Sequence, residues 1–268
     1  MRPTAIRRTA VAATVMSLAL FTAACGSDSD DKDTGKAAGS ASAKPSDKGA
    51  DKDADQASAK ALSAAELEKA SLAQGDVKAH KITKAGPGDS VEGKDVTVDK
   101  AACDVFADVL MGAKAGSPAA STQRKVVSEP KKGADKDSAD AEKAFEAAFD
   151  ITTTLATLSS YDGKGAEEAL TSLRTAATEC ASGFTLTAAG EKQKVVKIAE
   201  EQVKGGEEAV AWTVTVEADG EKSALKLIEV RQGTTLASLT ALNFAAAGAG
   251  GDFDMPTAVI DAQAAKLA

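Results

Sequence analysis

Residues 210–216, with the sequence Val-Ala-Trp-Thr-Val-Thr-Val, decide the fold class of this chain. Val210, Trp212, Val214 and Val216 alternate with smaller or polar residues, and this period of two is typical of a β-strand with one buried face. β-Branched and aromatic side chains also favour the pleated surface of a sheet. The pattern therefore predicts a strand that packs its valine and tryptophan side chains against a hydrophobic core.

Two further strands follow this stretch, each after a turn signal. Asp219-Gly220 predicts a tight hairpin turn, and residues 225–231 form the next apolar run. Gln232-Gly233 predicts the second turn, and residues 235–244 form the third strand. Short turns between successive strands predict an antiparallel meander.

The sequence on either side of the meander supplies helices and more strands. Ser63 and Glu66 form a capping box, which predicts a helix that ends at Gly75. Asp99 predicts the start of a second helix, and Pro256 suits the first turn of a final one. Further strands are predicted near 81–84, 122–128 and 151–159, and a long helix at 166–181. Because helices and antiparallel strands fall in separate runs, we expect an α+β fold, an antiparallel sheet with helices packed on it, as a single domain over residues 58–268.

Residues 1–24 are expected to be a lipoprotein signal peptide. Three arginines precede the apolar run 10–21, which is too short to span a membrane. Cys25 follows an Ala-Ala pair and resembles the lipobox cysteine of bacterial lipoproteins, which receives a diacylglycerol after cleavage. Thr22 stands where that motif usually has leucine. The alternative is an ordinary signal cleavage that leaves Cys25 unmodified.

The segment after Cys25 has the composition of a disordered tether. Residues 26–57 are almost wholly Gly, Ala, Ser, Asp and Lys, and they contain no aromatic or branched apolar side chain. Such a segment buries too little apolar surface to offset the entropy lost on ordering. We therefore expect residues 25–57 to be a lipid anchor and tether, with a span of roughly 30 Å for a flexible chain of this length. Residues 131–141 are a second low-complexity stretch and are interpreted as an insertion at the surface.

The net charge of the chain limits the classes of partner that it is expected to bind. Removing the three arginines of the signal peptide lowers Lys+Arg from 32 to 29 while Asp+Glu stays at 40, so the formal charge falls from -8 to -11. An acidic protein lacks the positive surface that nucleic acid binding needs. We expect no nucleic acid partner, and contact with the extracytoplasmic face of the cell membrane only through the lipid on Cys25.

Cys103 and Cys180 are the cysteines that remain beyond the anchor. Each lies on the apolar face of a predicted helix, and export places them where disulfides form and persist. We interpret them as a disulfide between two helices. Two inert buried thiols, or one reactive thiol, are the alternatives.

A search for catalytic and cofactor signatures predicts a protein that is not an enzyme. His80 is the one histidine, and no G-x-S-x-G motif accompanies it. The chain has no phosphate-binding loop, no G-x-G-x-x-G and too few His and Cys residues for a zinc site. Asp252-Phe253-Asp254 could chelate a cation, but capping of the last helix by Asp254 is the simpler interpretation. We expect no catalytic residues, no metal and no cofactor.

Trp212 and Tyr161 are the sole residues of their kinds and are the candidate ligand contacts. Trp212 has two interpretations, packing in the core and stacking on a ligand. Its place in the alternating pattern favours the core.

Several segments resemble the family of extracellular sensor domains found in the mycobacterial Ser/Thr kinase PknH and in many actinobacterial lipoproteins. The segments are LSAAELEKASLAQGDV, LSSYDGKGAEEALTSLRTAATECASGFT, EEAVAWTVTVE, IEVRQGTTLASLTAL and PTAVIDAQAAKLA. The resemblance implies an α+β fold with a cleft for an unknown ligand. The kinase member carries two disulfides, and this chain has cysteines for one of them.

Two functions are consistent with these features. The first is a cell-surface lipoprotein whose non-catalytic sensor domain binds an unknown small molecule, lipid or protein, in a cleft that faces away from the tether. The alternative is a structural or protein-interaction lipoprotein of the cell envelope.

Overall fold

The predicted meander lies in the centre of the domain. A computed structural model of the chain describes residues 59–130 and 147–268. In this part of the chain, nine strands form one sheet in the order β1-β3-β4-β9-β8-β7-β6-β5-β2, and all neighbouring strands are antiparallel. The strands are β1 His80–Lys84, β2 Val96–Val98, β3 Ala120–Ser128, β4 Thr152–Ser160, β5 Phe184–Ala188, β6 Glu191–Glu201, β7 Glu208–Ala218, β8 Glu221–Gln232 and β9 Thr235–Asn243.

Helices cover both faces of this sheet. They are α1 Ala64–Ala70, α2 Asp104–Leu110, α3 Gly165–Glu179, α4 Phe244–Gly248 and α5 Thr257–Leu267. Single 3₁₀ turns occur at Gly93–Asp95 and Ala101–Cys103. The arrangement confirms the α+β class and the antiparallel sheet with helices packed on it.

The alternation along β7 sorts its side chains between two cores. Val210 and Trp212 point to the face covered by α2 and α3, where they pack with Phe106 and Leu173. Ala211 points to the opposite face, which α1 and α5 cover. The sequence predicts one buried face, but β7, β8 and β9 are buried over part of both faces because α1 and α5 form a second helical layer.

The hairpin turns of the meander follow from residues that accept a positive φ angle. Asp219 and Gly220 have φ angles of 52° and 84° and connect β7 to β8, as the Asp-Gly pair predicts. Gly233 has a φ angle of 53° at the turn between β8 and β9. Both predicted turns of the meander are confirmed.

Two predicted helix boundaries are wrong. The first helix has the predicted Ser63–Glu66 capping box but ends at Ala70, because Ser71 is extended and its hydroxyl donates to the Leu67 carbonyl. Asp99 does not cap the second helix. Its carboxylate accepts a hydrogen bond from the Thr185 amide, and α2 begins at Asp104 after a 3₁₀ turn.

The hairpin of β5 and β6 and the short strand β2 were not predicted. Ala189 and Gly190 make the turn between β5 and β6 with φ angles of 52° and 84°, and an alanine in this conformation gives no turn signal. The strand β6 also begins with four polar residues, Glu-Lys-Gln-Lys, which obscure the apolar positions Val195 and Ile198 that follow.

The disulfide between Cys103 and Cys180 is present. It joins the 3₁₀ turn that leads into α2 to the residue that follows α3, with 5.8 Å between the Cα atoms. Both cysteines are fully buried. The bond fastens α2 and α3 together on one face of the sheet.

All described residues belong to one compact unit. The predicted signal peptide, Cys25, the tether and the insertion at 131–141 lie outside the described residues. No helix within residues 59–130 and 147–268 is long and apolar enough to cross a membrane.

Candidate functional site

A cleft of about 1200 Å³ opens at one end of the sheet. In antiparallel strands, the start of one strand lies beside the end of the next. Pairing of His80 with Ser128 and of Thr152 with Asn243 therefore brings the ends of β1, β3, β4 and β9 to the same edge of the cleft. Helix α4 and the loop at 249–256 form the opposite wall.

Asn243 holds the corner where the sheet meets α4. Its side-chain amide donates to the Asp150 carboxylate at 2.8 Å and to the Thr152 hydroxyl at 3.0 Å. Its side-chain oxygen accepts from the Ala246 amide at 2.9 Å, which caps α4. Because Asn243 is itself buried, this corner of the cleft is a built part of the fold.

Two phenylalanine side chains are exposed in the cleft. Phe149 is 49% exposed and Phe244 is 52% exposed, and they are the large hydrophobic side chains that the described residues leave at the surface. The Phe244 amide donates to the Ile151 carbonyl at 3.0 Å, so the backbone of Phe244 continues the ladder while its ring enters the cleft. Exposed aromatic rings in a concave surface are typical of a binding site.

Lys226 fastens the loop wall to the sheet. Its side chain is 4% exposed and its Nζ lies 2.8 Å from Asp252 Oδ1, 2.7 Å from Thr213 Oγ1 and 5.5 Å from the centre of the Phe253 ring. Partial burial opposes ionisation of Asp252, but hydrogen bonds from Lys226 and the Phe253 amide outweigh it and hold the pKa of Asp252 below its usual range. The loop therefore carries a carboxylate that stays charged.

The described chain begins at the opposite end of β4 from the cleft. The Ala59 carbonyl accepts from the Gly163 amide, and the Leu62 amide donates to the Ser160 hydroxyl at 2.8 Å. Ser160 is the last residue of β4, whereas Thr152, the first, lines the cleft. A strand of this length separates the two ends by roughly 25–30 Å.

A second depression, of about 590 Å³, is lined by several charged side chains, and Glu68 pairs there with Arg124 and Lys84. Arg124 is nearly buried and donates to Glu68 and to the Leu72 carbonyl. The hydrogen bond from Arg124, followed by those from Thr122 and Lys84, lowers the pKa of Glu68 to about 2. This ion-pair network joins α1 to β3, which gives it a structural role.

Asp108, on α2, faces the same depression. Its Oδ1 is buried and has no hydrogen-bond partner among the described residues. Desolvation, with a smaller contribution from the charge of Asp104, raises the pKa of Asp108 to about 6.

The two predicted ligand contacts lie in the core. Trp212 is 2% exposed and its ring meets Phe106 edge to face, with the centroids 5.5 Å apart. Tyr161 is 5% exposed and its hydroxyl donates to the Ala115 carbonyl at 2.6 Å. Desolvation raises the pKa of Tyr161. Neither side chain lines either depression, and both pack under α2 and α3, so ligand contact by these two residues stays a prediction.

A carboxyl group is buried beneath α2 and α3. Glu229 on β8 is fully buried, and its Oε2 accepts from the Ser238 hydroxyl at 2.8 Å. Within residues 59–130 and 147–268, its Oε1 has no hydrogen-bond partner. Burial raises the pKa of Glu229 to about 8. This carboxyl group is therefore largely protonated at neutral pH.

Residues that lie far apart in the sequence line the same cleft. His80 and the run 252–254 are far apart in the chain, and all of them line the same cavity. Asp254 does not cap the last helix, because α5 begins after Pro256 without a side-chain cap. Phe149 and Phe244 were missed as site residues, since a single phenylalanine near a strand end carries no local signal of exposure.

The described residues contain no cluster of three or more His, Cys, Asp or Glu side chains placed to hold a metal ion. The Nδ1 atom of His80 lies 2.7 Å from the Lys78 carbonyl.

No family model matches the chain, and no curated protein matches it. The chain is similar to the extracellular domain of PknH from Mycobacterium tuberculosis, at 12% identity over 78% of this chain and 95% of that chain, with a TM-score of 0.46. An uncharacterized protein from Mycobacterium smegmatis is 12% identical over 80% of this chain and 97% of that chain, with a TM-score of 0.32. At these identities and TM-scores, the two likenesses carry no argument about the function of this chain.

Proposed function

We propose that this protein is a lipoprotein anchored to the extracytoplasmic face of the cell membrane, and that its α+β domain binds a ligand in the cleft without catalysis. The observation that carries the proposal is the pair of exposed rings, Phe149 and Phe244, in a cavity of about 1200 Å³. A cavity of this size, with apolar walls and a few polar groups, has the dimensions of a ligand site. A sensor or scavenger at the cell surface needs such a site and no catalytic group.

The position of the cleft supports display on a tether. Residue 59 enters the domain at one end of β4, and the cleft opens at the other end. A chain anchored at Cys25 would then hold the domain by the end of the sheet that lies away from the cleft. The ligand could approach without crossing the surface next to the membrane.

The binding part of the proposal is tested by ligand capture. The purified full chain is incubated with extracts of the cell envelope and analysed by native mass spectrometry. We expect Phe244→Ala to abolish a captured mass that the unmodified protein retains. The matched control is Val98→Ala, which shortens a partly buried apolar side chain on β2, at the far edge of the sheet. Equal capture by both variants would refute the cleft as the binding site.

The anchoring part is tested by Cys25→Ser. We expect this variant to move from the membrane fraction to the soluble fraction and to lose incorporation of labelled fatty acid. A variant that stays in the membrane fraction would refute the lipid anchor while leaving the binding proposal intact. Capture of one dominant protein by cross-linking would favour the alternative, a protein-interaction lipoprotein of the envelope.

A further inference from the structure

Most of the ionisable groups that line the cleft are carboxyl groups. Four carboxylates and one histidine line it, and none of the described lining residues is a lysine or an arginine: the ionisable residues are Glu129, Asp150, Asp252, Asp254 and His80. Among the described residues, Lys226 lies under the loop wall and places a positive charge beside Asp252. The cleft therefore has a negative potential where a ligand would enter.

Two of these carboxylates have their charge available to a ligand. Within the described parts of the chain, the side chains of Glu129 and Asp254 form no hydrogen bond or ion pair, and both residues are exposed. Asp252 differs because Lys226 already neutralises it. The available negative charge therefore lies on Glu129, the residue that follows β3, and on Asp254, in the loop before α5.

The aromatic rings of the cleft suit a cation as well as an apolar body. The faces of aromatic rings attract ammonium groups within about 6 Å of the ring centre. The protein already uses this contact, since the Nζ atom of Lys226 lies 5.5 Å from the centre of the Phe253 ring. Phe149 and Phe244 present further ring surface in the same cavity.

We propose that the cleft selects a small organic cation with an apolar body. The apolar body lies against Phe149 and Phe244, and the ammonium group is held by the carboxylates of Glu129 and Asp254. This inference rests on the proposed function, because it names the class of ligand for the same site. It adds a requirement for positive charge that the exposed rings alone do not impose.

The test uses three probes that share a phenylbutyl body and end in trimethylammonium, hydroxyl or sulfonate. Affinities for the full-length Cys25→Ala protein are measured by isothermal titration calorimetry at low and high salt. We expect the ammonium probe to bind about tenfold more tightly than the sulfonate probe at low salt, with the hydroxyl probe between them. High salt should reduce this preference, because it screens exposed charges.

Matched variants separate charge from shape. The double variant Glu129→Gln/Asp254→Asn should weaken the ammonium probe about tenfold and leave the hydroxyl probe unchanged. The control Glu179→Gln/Glu191→Gln removes two exposed carboxylates away from the cleft and should change neither affinity. Phe244→Ala should weaken all three probes.

The outcomes distinguish the inference from the function on which it rests. Equal affinities for the ammonium and sulfonate probes, no binding of the ammonium probe at millimolar concentration, or a double variant that behaves as its control would each overturn the inference. If an envelope component is still captured and lost in Phe244→Ala, the proposed function stands and only the cation preference fails. If neither probes nor extract bind, both fail.

Discussion

The domain buries some of its aromatic side chains and exposes others. Under α2 and α3, Phe106 and Trp212 are 0% and 2% exposed and pack edge to face beside the disulfide. At the end of the sheet, Phe149 and Phe244 are 49% and 52% exposed. Aromatic residues make up only 3% of the chain, so two of them at one surface is a substantial share.

The difference between these regions follows from what covers each part of the sheet. Helices α2 and α3 lie on the face of the strands and are joined by the Cys103–Cys180 bond, so the rings beneath them are sealed. The cleft lies where the strands end, and no residue of α2 or α3 is among its described lining residues. Burial in the first region supplies stability, and exposure in the second leaves apolar surface for a ligand.

Truncating a ring in each region should give the largest contrast. Phe106→Ala removes a fully buried ring and should lower the free energy of unfolding by about 3–5 kcal/mol. Phe244→Ala, the matched variant in the cleft, should change it by no more than about 0.5 kcal/mol. Urea unfolding followed by circular dichroism measures both. Similar losses for the two variants would show that the cleft ring supports the fold as the core ring does.

Removing the disulfide tests how the first region is closed. The bond spans a sequence separation of 77 residues. Cys103→Ala/Cys180→Ala should lower the stability by about 2–4 kcal/mol, chiefly because the unfolded chain gains entropy. Thermal melting is the measurement, and a reducing agent should destabilise the original protein but leave the double variant unchanged. A melting temperature that the double substitution does not alter would contradict the role assigned to the bond.

The buried carboxyl group should make the stability of the first region depend on pH. Burial raises the pKa of Glu229 from its ordinary 4.5 to about 8. Between these values the folded protein keeps a proton that the unfolded chain has released. The contribution of this group is complete below pH 4.5 and declines as the pH rises to about 8, by up to about 1.4 kcal/mol per pH unit.

Glu229→Gln should flatten this dependence. Unfolding by urea at several pH values between 5 and 8 is the measurement. Glu221→Gln, an exposed position on the same strand, is the control and should keep the slope of the original protein. If the free energy of unfolding depends on pH in the same way in Glu229→Gln and in the original protein, the pKa of Glu229 is not raised by its burial.

Lys226→Met should have a small effect on stability and the most local effect on the cleft. The substitution keeps apolar volume but removes the ion pair with Asp252, whose side chain is 61% exposed. We expect a loss of about 1 kcal/mol or less, because a pair with an exposed partner contributes little. Amide exchange in the loop at 249–256 should become faster, whereas Lys222→Met, an exposed lysine on β8, should leave it unchanged. Unaltered exchange in Lys226→Met would show that the loop does not depend on this contact.

The parts of the fold that were predicted correctly have local signals. The meander of β7, β8 and β9 follows from an alternating strand and from turns at Asp219-Gly220 and Gly233, and each signal involves residues close in the chain. The pairing of β5 with β6 has no such signal, since its turn contains Ala189 in a conformation that alanine rarely adopts. The later start of α2, at Asp104, involves a contact with a distant strand, because the Asp99 carboxylate accepts from the Thr185 amide on β5.

The candidate site could not be predicted, for the same reason. Trp212 and Tyr161 were chosen because they are rare, and both pack under the helices. No pattern in the sequence connects His80, Phe149, Phe244 and Asp254. These residues line one cleft because β1, β3, β4 and β9 pair and bring the ends of these strands together.

The class of fold and the antiparallel meander could be predicted from the sequence, because periodicity and turn residues are local signals. The bonded pair of cysteines could also be predicted, because few cysteines are present and counting them needs no geometry. The sequence also predicted an export signal and an anchor at Cys25, which lie outside the described residues. The tertiary structure alone decided which aromatic rings are sealed and which remain exposed, and it placed the cleft at the end of β4 opposite to residue 59. Exposure depends on which strands and helices meet in space, and no single segment of the chain encodes that.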